Sequence, residues 1–247
     1  MIALSVNLNK IALIRNSREG NFPDLLQAAH ICIAAGAQGI TIHPRSDQRH
    51  IRPHDAVDLK REISVELNIE GNPFAEPQGD YPGFMAIVRQ VRPAQCTLVP
   101  DSPSQLTSDH GWDLLKEANR LEPIIAELKD LDCRISLFMD ADTQELSLAR
   151  EIGANRIELY TGPYAAAFSE HRAETELSKL LTVAKEAEKL DLGLNAGHDL
   201  NLQNLPLLVT LPHLLEVSIG HALVADALEC GLENTVKAYI KALKTST

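Results

Sequence analysis

Ala34-Ala-Gly-Ala-Gln-Gly-Ile-Thr-Ile42 and Glu151-Ile-Gly-Ala-Asn-Arg-Ile-Glu-Leu159 are built alike. Each closes a helical stretch on Gly-Ala and enters a β-rich run three residues later. A glycine there can take the left-handed conformation that stops a helix, and the short joint turns the chain back toward a sheet. Working outward from these joints, β-rich runs fall at 3–6, 39–43, 64–69, 95–99, 134–139, 156–159, 193–195 and 216–219. Most read as continuous rather than alternating apolar runs, the pattern of a parallel sheet covered on both faces. Helical stretches lie between them. Pro23-Asp24 opens the first, which closes at Gly36, and later ones cover 53–62, 81–91, 113–131, 143–152, 174–190 and 202–209. The tail, 222–243, reads as two helices divided near Gly231.

Strand–helix alternation repeated about eight times suits one (β/α)8 TIM barrel with extra helices, spanning residues 1–247 as a single catalytic domain. An open doubly wound sheet is the rival, but it would carry a Gly-rich fingerprint after its first strand. Asn7-Leu-Asn-Lys10 occupies that place. A length of 247 residues fits one barrel with little to spare.

The 23 Lys and Arg residues against 34 Asp and Glu give a net charge of −11, which argues against nucleic acid or an anionic membrane as partner. Cys32, Cys96, Cys133 and Cys230 are widely spaced and show no metal-binding or disulfide pattern. Cys32, Cys96 and Cys133 are expected as buried hydrophobes. Met1-Ile-Ala-Leu-Ser-Val6 is too short for a secretory leader, and 205–215 is too short and too interrupted to span a bilayer. The expected location is the cytoplasm.

In a TIM barrel the chemistry collects at the C-terminal ends of the strands. The polar residues here gather there. The first strand exits into Asn7, Asn9 and Lys10, and the second into His43-Pro-Arg45, with Arg49 and His50 behind. The third carries Glu66, Asn68 and Glu70, which share one face by the strand period, Glu70 being nearest the rim. The fifth exits into Asp140 and Asp142, of which Asp142 is expected to cap a helix. The sixth holds Glu158 and exits into Thr161-Gly162, the seventh into Asn195-Ala-Gly-His-Asp199, and the eighth into Gly220-His221. His43, His198 and His221 at three separate exits are hard to read as structural alone. His30, His54, His110, His171 and His213 have no such placement. Asn7 or Asn9 could simply close a turn.

Gly162, Ala196-Gly197 and Gly220 put small residues beside backbone amides that can receive a phosphate. Lys10, Arg18, Arg45, Arg49 and His50 could form a second cationic cluster. A metal hydrolase or isomerase could draw ligands from His43, Glu70, His198 and His221, but no His-x-His follows a strand. A Schiff-base aldolase needs a lysine inside the barrel, and no strand interior contains one. Acid–base chemistry by histidines and a glutamate on a phosphorylated substrate remains, with no metal and no cofactor. An inactive barrel serving in an assembly is the non-enzymatic alternative.

Val6-Asn-Leu-Asn-Lys-Ile-Ala-Leu-Ile-Arg-Asn-Ser-Arg18, Gly39-Ile-Thr-Ile-His-Pro-Arg45 with Arg49-His-Ile51, Leu67-Asn-Ile-Glu70, Leu98-Val-Pro100, Ser136-Leu-Phe-Met-Asp-Ala-Asp142, Ile157-Glu-Leu-Tyr-Thr-Gly162, Leu194-Asn-Ala-Gly-His198 and Ser218-Ile-Gly-His-Ala222 together resemble the pyridoxine 5′-phosphate synthase (PdxJ) family. The resemblance runs through nearly the whole chain in order. It implies a cytoplasmic barrel enzyme of vitamin B6 biosynthesis, a homo-octamer built from dimers through helices added to the barrel. It also implies condensation of 3-amino-2-oxopropyl phosphate with 1-deoxy-D-xylulose 5-phosphate to pyridoxine 5′-phosphate, phosphate and water, without metal or organic cofactor.

Carried over by position, the resemblance implies His43 and Glu70 as proton acceptors and His198 as proton donor, with Glu158 stabilising charge. It places Asn7, Arg18, Gly220 and His221 on the amino-ketone phosphate. Asn9, Lys10, Arg45, His50 and Thr107 fall on the pentulose phosphate, and Asp199 beside a phosphate loop. Three positions depart from the family pattern, which has Asp-His at Asn9-Lys10 and Gly at Asp199. The segment 71–83, with Pro73, Pro77 and Pro82, is also longer than the pattern has after its third strand.

Overall fold

A computed structural model describes residues 1–244. Eight parallel strands close into a barrel in sequence order: β1 (Ala3–Asn7), β2 (Gly39–Ile42), β3 (Glu66–Gly71), β4 (Gln95–Leu98), β5 (Arg134–Met139), β6 (Arg156–Tyr160), β7 (Gly193–Gly197) and β8 (Leu214–Ile219). The ring closes where Ala3–Val6 of β1 pairs with Glu216–Ile219 of β8. Around it run α1 (Asn9–Asn16), α2 (Leu25–Ala34), α3 (Pro53–Glu62), α4 (Phe84–Val91), α5 (Leu114–Asp130), α6 (Leu146–Glu151), α7 (Gly162–Ser169), α8 (Ala173–Lys189), α9 (Leu205–Leu208), α10 (His221–Cys230) and α11 (Leu232–Ala242). The last two are the divided tail helices anticipated from the sequence, and the side chain of Ile240 on α11 packs against Gly36 at the end of α2. Among the described residues no helix is long and apolar enough to cross a membrane.

The paired joints form as expected. Gly36 and Gly153 both have positive φ, and the following amides reach back five residues, Ala37 N to Cys32 O and Ala154 N to Ala149 O. This is the hydrogen bond that ends a helix on a left-handed glycine.

The strands differ from expectation in one informative way. They alternate, with aliphatic residues such as Leu4, Ile40, Ile69, Leu137 and Val217 buried under the helices. The inward positions are polar. Ser5 and Thr41 share a 2.6 Å hydrogen bond, Asn68 donates to Thr41, and Thr97 donates to Asn68. Small polar side chains (Thr41, Ser136) between aliphatic ones made the runs look continuous. At the N-terminal end, Arg134 bonds Gln95 and Glu66, while Arg156 bonds Asn195 and lies 3.6 Å from Glu216. Glu66 therefore belongs to this floor, and Glu70, two positions beyond Asn68, reaches the opposite rim.

Two helices were not anticipated. α1 carries Leu13 and Ile14 on its exposed side, so no apolar stripe marks it. α7, Gly162-Pro-Tyr-Ala-Ala-Ala-Phe-Ser169, is nearly uniform in polarity. Asp142 does not cap a helix: the chain turns from Asp140 to Thr143 and the helix starts at Leu146, after Glu145. Cys32, Cys96 and Cys133 are buried thiols, and Cys230 is exposed.

Candidate active site

The C-terminal rim encloses a cavity of about 390 Å³, inside the range of about 300–1,000 Å³ usual for small-molecule sites. It draws on seven strand exits. Asn7, Asn9 and Lys10 come from the end of β1 and the start of α1, and His43, Arg45, Arg49 and His50 from the segment after β2. Glu70 comes from β3, Thr107 and Ser108 from the loop after β4, and Glu158 from β6. His198 and Asp199 follow β7, and Gly220 and His221 follow β8. A more open recess at the α7–α8 turn is lined by Phe168, His171, Arg172 and the start of α8, without a buried ionisable group.

Burial governs the titratable groups. Desolvation pushes the Glu70 carboxyl up to about 8, with the nearby Asp101 carboxylate adding to the rise. Near neutral pH Glu70 therefore largely keeps its proton. Asn7 Nδ2 and Ser218 Oγ reach its two oxygens at 3.3 and 3.4 Å. Glu158 is also raised, first by burial and then by Glu70 and Glu216, and Thr97 Oγ1 lies 3.5 Å from it. Gly197 makes room for this carboxyl, because a Cβ there would sit 2.3 Å from Glu158 Oε1.

His43 is brought down to about 3 by burial, then by the positive charge of Arg45. Its Nδ1 stands 3.9 Å from Glu70 and its Nε2 3.9 Å from Asp101. His50 falls to about 3 for the same leading reason. The Ile51 amide donates to His50 Nδ1 at 2.9 Å, so the ring proton sits on Nε2.

His198 is lowered by burial. Its ring packs between Phe138 and Tyr160, with both centroids at 5.4 Å, and its Nε2 shares a 3.0 Å hydrogen bond with Thr107 Oγ1. His198 and Asp199 both have positive φ, uncommon for residues with a Cβ. Buried Thr161 holds this turn by donating to the Gly197 and His198 carbonyls. The positive φ also explains how Asp can stand where glycine would be easiest, since Asp enters the left-handed region more readily than most residues.

Several expected residues also make contacts within the protein. Asn7 Oδ1 accepts from the Asn9 amide at 2.9 Å, the turn closure foreseen, and Asn9 Oδ1 accepts from the His43 amide, tying two strand exits together. Arg45 is buried against Asp101 at 2.6 Å and donates to the carbonyls of Ser102 and Gln105. Arg49 donates to the carbonyls of Gln105 and Leu106. These two arginines fasten the loop after β4 over the cavity. Arg18 stands exposed past α1 and does not line the cavity, because α1 carries the chain away from the rim. Gly162 also lies outside it, packed where a Cβ would meet the Tyr160 hydroxyl at 2.4 Å.

Asp101 is the residue that sequence reasoning passed over. It follows the fourth strand at its C-terminal end, so the rule applied to the other strands would have found it. Among the described residues no group of three or more His, Cys, Asp or Glu side chains is arranged to hold a metal ion.

Comparisons with known proteins agree on the family. The family model described as "Pyridoxal phosphate biosynthesis protein PdxJ" matches residues 4–245. A relative named pyridoxine 5′-phosphate synthase, from Xanthomonas axonopodis pv. citri (strain 306), is 53% identical over 246 residues, covering 98% of this chain and 96% of its own. Another of that name, from Xanthomonas campestris pv. campestris (strain B100), is 55% identical over 241 residues, covering 96% and 94%. Among solved structures, monomers of the dimeric phosphoribosylanthranilate isomerase from Thermotoga maritima superpose with a TM-score of 0.59 over 98% of both chains. At 13% identity that likeness concerns the fold alone.

Proposed function

Since this chain belongs to the PdxJ family of pyridoxal phosphate biosynthesis proteins, we propose that it condenses 3-amino-2-oxopropyl phosphate with 1-deoxy-D-xylulose 5-phosphate. The products are pyridoxine 5′-phosphate, inorganic phosphate and water. The whole barrel, residues 1–247, is the catalytic unit, and side-chain acid–base chemistry is sufficient without a metal. The observation that supports this most is the cavity itself: His43, Glu70, Glu158 and His198 line one space with cationic groups at its edge, where burial lowers the histidines and raises the carboxyls.

The substrates bring the charges that set these groups in motion. An incoming ammonium beside Glu70 favours its carboxylate, so Glu70 becomes a proton acceptor as the substrate binds. The amine thus freed attacks the pentulose ketone, and loss of water leaves an imine. His43, already neutral, takes a carbon-bound proton so that the pentulose phosphate can leave. A phosphate dianion near His198 favours its imidazolium, which then donates to a departing oxygen. A positive charge on the imine favours the Glu158 carboxylate, which then offsets it. Aldol-type closure and loss of water give the aromatic ring, and aromaticity supplies much of the driving force.

One phosphate fits the N-terminus of α10, whose first-turn amides at His221 and Ala222 have no intrahelical acceptor and face the cavity beside Gly220. The retained phosphate, that of the amino ketone, belongs there with Asn7. The other fits among Lys10, Arg45 and His50, which line the same cavity with Asn9 and Thr107. Asp199 contributes its backbone rather than its carboxylate. Arg18 serves the amino-ketone phosphate only if a second copy or a chain movement brings it to the rim, which suits an octamer built from dimers. The cytoplasm, where phosphorylated intermediates are held, is the proposed location.

Metal-stripped protein given both substrates should form pyridoxine 5′-phosphate at a rate that a chelator does not alter. Folded protein that makes no product overturns the reading, and loss of activity with chelator restores the metal-dependent alternative.

A further inference from the structure

Asp101 stands at the exit of β4, and none of the steps above uses it. Its side chain is 4% exposed. Oδ2 accepts from Arg45 Nη1 at 2.6 Å and from Ser108 Oγ at 2.9 Å, and lies 3.9 Å from His43 Nε2. Oδ1 is buried and has no hydrogen-bond partner. On the other side of the imidazole, Nδ1 lies 3.9 Å from Glu70 Oε2. The His43 ring is therefore held between two carboxyl groups from different strands.

A buried carboxylate oxygen without a partner is costly to keep, and such orphans collect where function needs them. His43 Nε2 faces this carboxylate from 3.9 Å, measured to Oδ2, the oxygen that also accepts from Arg45 and Ser108. Both 3.9 Å separations exceed a hydrogen bond, as is common for catalytic groups that close up only around substrate.

We propose that Asp101 is the positioning residue for His43: it accepts a hydrogen bond from Nε2–H, fixes the tautomer whose Nδ1 lone pair faces Glu70 and the cavity, and balances the charge when Nδ1 takes a proton. The proton leaves a substrate carbon for Nδ1 while the bonding pair stays on the substrate. The Nε2 proton stays on the ring, and Asp101 keeps its ion pair with Arg45. The proton on Nδ1 later returns to an intermediate, so nothing is consumed. Because Arg45 and Ser108 hold the same carboxylate, the base is in register only when the loop after β4 is seated. The inference rests on the reading of His43 as a proton acceptor.

Asp101→Asn keeps the shape and removes the charge, and Asp101→Glu restores the charge. With both substrates, Asp101→Asn should lower kcat about 10²-fold while KM moves less than about threefold, and Asp101→Glu should recover at least a tenth of the native rate. Nitrogen-15 NMR of histidine-labelled protein, assigned against His43→Asn, should show one Nε2–H tautomer for His43 in the native protein and a mixture in Asp101→Asn. Melting curves confirm that each variant is folded at the assay temperature. A kcat within threefold of native overturns the proposal. So does a loss confined to KM with an unchanged tautomer, which would leave Asp101 as a loop tether. Native enzyme that makes no product would instead defeat the functional reading, and the tautomer measurement then decides the Asp101–His43 contact by itself.

Discussion

At the scale of single residues, burial sets the charge carried by the groups that line the cavity. Glu70 holds a proton that an exposed glutamate would lose, and His43 refuses one that an exposed histidine would take. Both states follow from burial, and both have consequences for stability. The folded Glu70 pKa is raised from 4.5 to about 8, so the native state binds more protons than the unfolded chain across that window. Stability from this group falls as pH rises from 4.5 to 8. Glu70→Gln removes the effect, so its melting temperature should gain on the native protein steadily over that range. A constant difference would show that Glu70 is already ionised. His43 acts in the opposite sense, costing stability as pH falls from 6.5 toward 3. His198→Ala should slow turnover about 10²–10⁴-fold if the ring donates a proton, measured as kcat with both substrates saturating. A loss of less than tenfold returns it to a packing role between Phe138 and Tyr160. The histidines and Glu70 were legible because each sits at a strand exit. The second duties of Asn9 and Arg45 were not, since a side-chain bond to a distant backbone amide or a loop carbonyl leaves no spacing in the sequence.

Among the elements, α1 matters most and was the least visible. It has no apolar stripe, yet its one buried cation positions the substrate wall. Arg15 donates to both oxygens of Asp55 on α3, at 2.6 and 2.9 Å, and to the His50 carbonyl. The neighbouring Asn16 amide reaches the carbonyls of Gln48, Arg49 and His50. These bonds hold the segment that carries Arg45, Arg49 and His50. Asp55→Ala strands a guanidinium that is 1% exposed, and removing one partner of such a pair costs about 3–5 kcal/mol. For a chain of this length that lowers the melting temperature by roughly 10 °C, which calorimetry would read directly. A fall of under 2 °C would show that water replaces the carboxylate. The glycine joints were legible because a helix stop followed by a strand is local chemistry. A buried ion pair between α1 and α3 depends on where two helices lie around the ring, which local pattern does not record.

For the whole molecule, the barrel places apolar residues outward under the helices and polar ones inward, so the interior continues the chemistry of the rim rather than sealing it off. The repeated strand–helix unit announced that architecture; the inward polar lining was hidden because small Ser and Thr residues break an apolar run so little. The net charge of −11 belongs to the outer surface, while Lys10, Arg45, Arg49 and His50 stand at the cavity. The proposed substrates, both phosphate esters, would meet Lys10, Arg45 and Arg49 at the cavity of an acidic protein. The central claim is that this cavity joins them and releases one phosphate. Phosphorus-31 NMR of the purified protein with both substrates tests it in one time course. The account predicts that inorganic phosphate and a single new phosphate ester grow in equal amounts, and only when both substrates are present. Phosphate released from either substrate alone, or none released by folded protein, would contradict it.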